Sequence, residues 1–174
     1  MIDINSLVHI TQIPNFEIFK TDTLDAIKSM NRYSINGVGQ NISNTDWHLD
    51  PNMYRPYWNT ICPEINRHNN SLQRKLNLHS ITTGKFWFQQ YETGDYHSWH
   101  THNGSTFSNV IYIELGTNSP KTSFLYMNKE YTVNVNEGEI LTFPSFLAHG
   151  SKPNTGARKT IVSFNSNIEV MQEF

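Results

Sequence analysis

Three histidines are the residues of this chain best suited to chemistry: His100 and His102, spaced i and i+2, and His149 further along. On an extended strand, side chains at i and i+2 leave the same face, so both imidazoles of the pair point one way. A third histidine returning from a distant strand then closes one side of a metal ion and leaves positions open on the other. A structural zinc site is instead closed by four ligands that usually include cysteine, and Cys62 is the single cysteine here. Beyond His149 stand Arg158 and Thr160, which share one face of a strand. A guanidinium fork beside a hydroxyl can grip an acidic co-substrate, although the same pair on an outer face makes an ordinary surface ion pair. Tyr91 and Tyr112 offer two phenols to that carboxylate or, equally, two core rings with satisfied hydroxyls.

With eight histidines in 174 residues, a His-x-His pair alone is weak evidence. The context strengthens it: Gly94 precedes the pair, Gly138 and Pro144 precede His149, and Arg158 heads the next strand. His97, three residues before His100, points elsewhere on an extended chain and reads as a pocket-edge residue; His9, His48, His68 and His79 lack ligand spacing. Trp99, Phe143 and Phe146 read either as walls that keep a metal dry or as hydrophobic core packing.

These groups need a rigid frame. From Lys85 onward, short β-type runs alternate with turn residues: 85–91, 107–115, 122–127, 131–135, 139–143 and 158–165. So many short strands predict a sandwich or barrel. Asn136 to Glu139 reads as a tight turn in which Gly138 supplies the positive φ. Ahead of Gly84 the pattern is helical. Thr21-Asp22 caps a short amphipathic helix carrying Leu24, Ile27 and Met30. A second helix carries Tyr54, Tyr57, Trp58, Ile61, Ile65, Leu72 and Leu76, with Pro56 in its first turn and Pro63 as a kink or break. The expectation is one domain over 1–174: helical support and loops over 1–84, and a mainly β core, a double-stranded β-helix or cupin-like jelly roll, over 85–174. The polar segment from Tyr33 to Asn52, with Trp47, either caps the pocket or merely connects two helices.

Composition narrows the classes. A length of 174 residues suits one core without disulfides, and one cysteine excludes both an intramolecular disulfide and a cysteine zinc cluster. No apolar run approaches a bilayer's thickness and the N-terminus lacks signal-peptide order, so a soluble cytoplasmic protein without membrane partners is expected. A net charge of -2 with scattered basic residues gives no footprint for nucleic acid. The aromatic share of 13% against 16% charged suits a sheet-rich core and pocket.

Taken together, Gln90-Tyr91-x2-Gly94-Asp95-x3-Trp99-His100-x-His102, Phe107-Ser108-Asn109-Val110-x-Tyr112, Gly138-x-Ile140-Leu141-x-Phe143-Pro144-Ser145-x3-His149 and Arg158-x-Thr160-Ile161-x-Ser163-Phe164-Asn165 resemble the 2-oxoglutarate- and Fe(II)-dependent oxygenases. Within that superfamily the likeness is to the small prolyl-4-hydroxylase-like proteins of marine phages and bacteria. It covers about Trp87 to Asn165. The resemblance implies a jelly roll binding Fe(II) through a His-x-Asp/Glu pair and a distal His, with 2-oxoglutarate on the metal and a basic residue of a late strand on its far carboxylate. By position, His100 and His149 take the histidine roles, Arg158 with Thr160 the carboxylate role, and Tyr91 and Tyr112 the supporting hydroxyl roles. Co-substrates would be 2-oxoglutarate and O2, the substrate a prolyl or other peptide residue, and the setting the cytosol, of a phage's host if phage-encoded. One position departs: His102 stands where the superfamily has an acid, which leaves the metal more positive and alters its preference among iron, nickel and zinc.

Two other readings compete. A cupin-type metalloprotein uses three histidines naturally and needs no 2-oxoglutarate, yet the acid expected shortly after His102 is missing between Asn103 and Asn109. A non-catalytic jelly-roll module would keep the histidines as relics, and metal content separates it from the other two.

Overall fold

The structure is a computed structural model that describes residues 4–169. A 3-10 turn at Ile4–Leu7 leads into β1 (His9–Gln12), α1 (Phe16–Lys28), β2 (Ile35–Gly37), β3 (Gln40–Ile42), β4 (Asn44–Thr45) and α2 (Trp58–Leu76). The remainder is strand: β5 (Ser80–Tyr91), β6 (Tyr96–His100), β7 (Phe107–Glu114), β8 (Ser123–Tyr126), β9 (Lys129–Thr132), β10 (Glu139–Pro144), β11 (Ala148–Ser151) and β12 (Lys159–Glu169). They form two facing six-stranded sheets, a major one ordered β1-β10-β7-β12-β5-β4 and a minor one ordered β2-β3-β6-β11-β8-β9. The jelly roll expected from the strand pattern is the architecture found.

The major sheet is covered on both faces, and strand alternation divides its side chains between two cores. Phe88, Ile111, Ile113, Ile140, Val162 and Phe164 point outward to meet Phe19 and Ile27 of α1 and Ile61 and Ile65 of α2. Tyr91, Val110, Tyr112, Leu141, Phe143 and Ile161 point inward to meet Ile42 and Phe124 of the minor sheet. Helix α1 starts earlier than expected, at Phe16 after Asn15, whose backbone is left-handed (φ 49°). Thr21 and Asp22 therefore lie inside it, because Phe19 supplies an apolar anchor one turn before Leu24. Pro63 does not end α2; it lies in the second turn, where one lost backbone bond is outweighed by burial of Ile61 and Ile65.

The helices-then-strands division at Gly84 is not a structural boundary. Strand β5 runs through it, and the N-terminal portion supplies β1 and β4 to the major sheet and β2 and β3 to the minor one. Gly138 does turn the chain at φ +81°, and a Cβ there would lie 2.8 Å from the Phe16 ring. No described helix is long and apolar enough to cross a membrane.

His68 of α2 is wholly buried between Thr11 Oγ1 and Thr142 Oγ1, each 2.6 Å from a ring nitrogen. Desolvation first, then His9 and Arg67, hold its pKa down to about 3. An unfolded histidine titrates near 6.5, so between these values the unfolded chain binds a proton that the folded chain refuses. This contribution to stability is complete above about pH 6.5 and is lost as pH falls toward 3. Denaturant unfolding across pH 7 to 4 should show a His68→Gln protein losing stability less steeply than the parent, by about 1.4 kcal/mol per pH unit. Parallel slopes would mean that His68 does not carry the effect.

Candidate metal centre

Strands β6 and β11 pair so that His100 lies directly opposite His149, both facing the major sheet. Gly150 permits this pairing, since a Cβ there would sit 2.8 Å from the carbonyl oxygen of His97. His102 lies just past the end of β6, tied back by its N–H to the Ser145 carbonyl at 3.1 Å. Ring centroids are 4.2 Å apart for His100 and His149, 5.2 Å for His100 and His102, and 5.0 Å for His102 and His149. One potential ligand atom from each lies within 4.8 Å of the other two.

The outer nitrogen of each ring is already engaged. His100 Nδ1 donates to the Ser98 carbonyl at 2.9 Å and His149 Nδ1 to the Leu147 carbonyl at 3.0 Å. His102 Nδ1 lies 2.7 Å from Asn165 Oδ1 and 3.0 Å from Ser108 Oγ. A carbonyl only accepts, so the proton sits on Nδ1 and the lone pair on Nε2, the tautomer that ligates a metal. Desolvation lowers the pKa of all three, that of His149 to about 3, so the rings are neutral and ligand-competent at neutral pH. Three convergent neutral imidazoles with oriented outer nitrogens fit a divalent transition metal. The Asn165→Ala protein should bind Co(II) some 10- to 100-fold more weakly, because His102 loses the group that fixes its ring; unchanged affinity in a cobalt titration would count against that role.

The cavity behind the histidines is where expectation and structure part. Arg158 points away from it: its guanidinium makes a two-pronged ion pair with Glu114 at 2.9 and 3.0 Å on the outer side of the sheet. Thr160 has the same parity, donating to Glu114 and accepting from Gln90 Nε2. The surface ion pair, not the carboxylate grip, describes these two. Between them Lys159 turns inward and is only 2% exposed. Its Nζ donates to Ser151 Oγ and to the Pro120 carbonyl at 3.1 Å, and sits 4.3 Å from the Tyr91 ring centroid. Among the described residues it has no acidic partner, and desolvation alone brings its pKa down to about 7.

Tyr91 and Tyr112 both line this cavity. The Tyr112 hydroxyl lies 2.7 Å from Thr122 Oγ1, and burial pushes its pKa up to about 12; burial also raises that of Tyr91. Phe143 walls the cavity, its ring 4.6 Å from His149. Trp99 and Phe146 do not: they are 43% and 75% exposed on the outside. His97 lies nearer than expected, stacked on His100 at 3.9 Å. Asp95 is not a ligand, being buried under bonds from Asn41 Nδ2, Ser43 N and Glu92 N.

An outer cleft of about 280 Å³ opens above the histidines, lined by Ile35, Gln40, Trp47, Trp87 and Asn103 among others. The segment between the helices therefore borders the pocket. Trp47 meets Trp87 edge to face at 4.4 Å. It is held there by the residue before it: buried Asp46 accepts from Arg55 Nε at 2.6 Å, Tyr57 Oη at 2.7 Å and the Phe88 N–H at 2.8 Å.

No family model and no curated protein matches the sequence. Solved structures do. An oxidoreductase of the 2OG-Fe(II) oxygenase family from Burkholderia pseudomallei superposes with a TM-score of 0.74 at 9% identity, covering 94% of this chain and 86% of its own. A prolyl-4-hydroxylase from Pseudomonas putida gives 0.69 at 12% identity, covering 94% of each chain. This is the fold of the 2-oxoglutarate/Fe(II) oxygenases. The viral collagen prolyl hydroxylase of Paramecium Bursaria Chlorella virus-1, solved as its 2OG complex, shares it with a TM-score of 0.62 at 12% identity, covering 92% of this chain and 95% of that one. Identities this low carry the oxygenase fold and not the details of the site.

Proposed function

We propose that the chain is a 2-oxoglutarate- and Fe(II)-dependent dioxygenase that hydroxylates a C–H bond. The observation that carries this reading is one cavity holding three convergent imidazoles and, behind them, a buried ammonium with no counter-ion among the described residues. A buried cation in that state is costly unless an anion completes it. The kinds of protein that share the fold support the same reading: one was solved with 2-oxoglutarate and two are prolyl hydroxylases. A prolyl or other residue of a peptide is accordingly the proposed substrate class.

His100, His102 and His149 would hold the metal through Nε2, and the Lys159 ammonium, with Ser151 Oγ, would receive the far carboxylate of 2-oxoglutarate. The Tyr91 ring against Nζ and the Tyr112–Thr122 hydroxyl pair confine that end. When bound, the metal and 2-oxoglutarate supply the O2-dependent oxidising chemistry. The chain's own part is to orient both, while Val110, Phe143 and Ile161 keep water out of the inner cavity.

His102 favours one rival, a three-histidine cupin-type metalloprotein that does not use 2-oxoglutarate. Anaerobic titration with Fe(II) and then 2-oxoglutarate separates the two. A visible charge-transfer band that needs both partners, followed by succinate formation on admitting O2, is the oxygenase result. Tight metal binding with neither band nor succinate would favour the cupin.

A further inference from the structure

Every ionisable side chain lining the inner cavity or the outer cleft is an imidazole, a phenol or an ammonium; among the described residues no aspartate or glutamate faces either space. Asp95 is the acid nearest in sequence to the histidine pair, and its carboxylate is occupied by Asn41, Ser43 and Glu92. Glu114 is paired with Arg158 on the other face of the major sheet.

This absence sets the charge of the loaded site. A divalent metal and fully ionised 2-oxoglutarate cancel, and three neutral imidazoles add nothing, so the Lys159 ammonium, itself 2% exposed, is left as one uncompensated positive charge. An acidic third ligand would have made the same assembly neutral. At protein-like dielectric, a unit charge within several ångströms changes an anion's affinity by tenfold or more.

Donors for an anion are at hand in the outer cleft. The His97 ring, stacked on His100 with an interplanar angle of 16°, borders both spaces, and among the described residues no side-chain hydrogen bond engages its nitrogens. Gln40 and Asn103 add side-chain amides at the same mouth that make no side-chain hydrogen bond among the described residues. The Trp47–Trp87 corner supplies an apolar wall for the remainder of a ligand.

We propose that the primary substrate carries a carboxylate, which docks in the outer cleft beside His97 and supplies the negative charge that His102 does not. The proposal rests on the oxygenase reading for the identity of the metal and co-substrate.

The test is binding, not turnover. Protein loaded with Co(II) and 2-oxoglutarate is titrated with acetate and with its neutral counterpart acetamide, following the visible cobalt bands. Acetate should bind at least about tenfold more tightly than acetamide. His102→Asp, which restores the missing charge, should weaken acetate about tenfold or more. His97→Phe, which keeps an aromatic ring and removes its single N–H donor, should weaken acetate while leaving Co(II) affinity within about twofold. Equal binding of acetate and acetamide, or acetate affinity unmoved by His102→Asp, overturns the charge argument; acetate affinity unmoved by His97→Phe overturns the placement. If Co(II) binds but 2-oxoglutarate does not, the oxygenase reading fails, and the carboxylate proposal, whose charge balance includes that dianion, falls with it; equal binding of acetate and acetamide by protein that does hold 2-oxoglutarate overturns the proposal alone. Repeating them with N-acetylglutamate α-amide distinguishes a peptide side-chain carboxylate from a small free acid by which probe binds more tightly.

Discussion

The Lys159→Ala protein is expected to bind 2-oxoglutarate about 100-fold more weakly than the parent while retaining its metal affinity. Truncating one partner of a buried, hydrogen-bonded charge pair typically costs 2 to 5 kcal/mol, and about 2.7 kcal/mol corresponds to that factor. Arg158→Ala, one residue away but on the outer face with Glu114, should change the dissociation constant by no more than about twofold, as for an ordinary surface substitution. The pair of variants is decisive because the residues are neighbours in sequence and opposite in direction. A large loss in Arg158→Ala with little in Lys159→Ala would reverse the assignment.

Two further readouts accompany this one. With its pKa brought down to about 7 by burial, Lys159 loses its proton as pH rises past that point in the unliganded protein. Affinity for the dianion should therefore fall above about pH 7, by up to tenfold per unit, and the dependence should vanish in Lys159→Ala. Stability should move the other way: an ammonium buried without a counter-ion burdens the folded state, so Lys159→Met should leave unfolding free energy unchanged or raised.

The second large effect is on the fold. Asp46→Ala should cost about 3 to 5 kcal/mol of stability, because it leaves the Arg55 guanidinium, 3% exposed, without its counter-charge and also strips the Tyr57 hydroxyl and the Phe88 N–H of their acceptor. For a chain of this size that is a fall in Tm of roughly 10 °C. The Asp46→Ala/Arg55→Met double variant should recover much of the loss, since no charge is then stranded. Equal destabilisation by the single and double changes would show that the acceptor to Phe88 N–H, and not the ion pair, is what matters. Because Trp47 follows Asp46 directly, the single variant should also loosen the Trp47–Trp87 corner of the cleft, readable as a change in tryptophan fluorescence.

Much of this was legible in the sequence because it rests on local periodicity. Short alternating runs with turn residues between them announced the two-sheet core, and the i, i+2 spacing with a distant third histidine announced the cluster. What periodicity could not give was parity on a strand buried from both sides. In β12, Lys159 to Phe164 are all buried, so no polar/apolar alternation betrays which residues face the other sheet and which face the helices. Arg158 and Thr160 matched the pattern of a carboxylate grip, yet their parity is that of Val162 and Phe164, which pack under α1 and α2. The residue between them inherited the pocket. The bounds of β6 and β11 were not legible, each being only 4–5 residues long.

The amino-acid sequence thus determined on its own the jelly-roll class, the candidate trio His100, His102 and His149, and the imidazole in place of an acid at 102, because residue type and local spacing suffice for these. The tertiary structure alone decided that Lys159 rather than Arg158 enters the cavity, that Asn165 orients His102, that His97 stacks on His100 beside the histidine cluster, and that Asp46 fixes Trp47 at the mouth. Each of those depends on which face a strand turns to a partner far away in the chain, and that direction is set by packing of the whole sheet between helices and its opposing sheet.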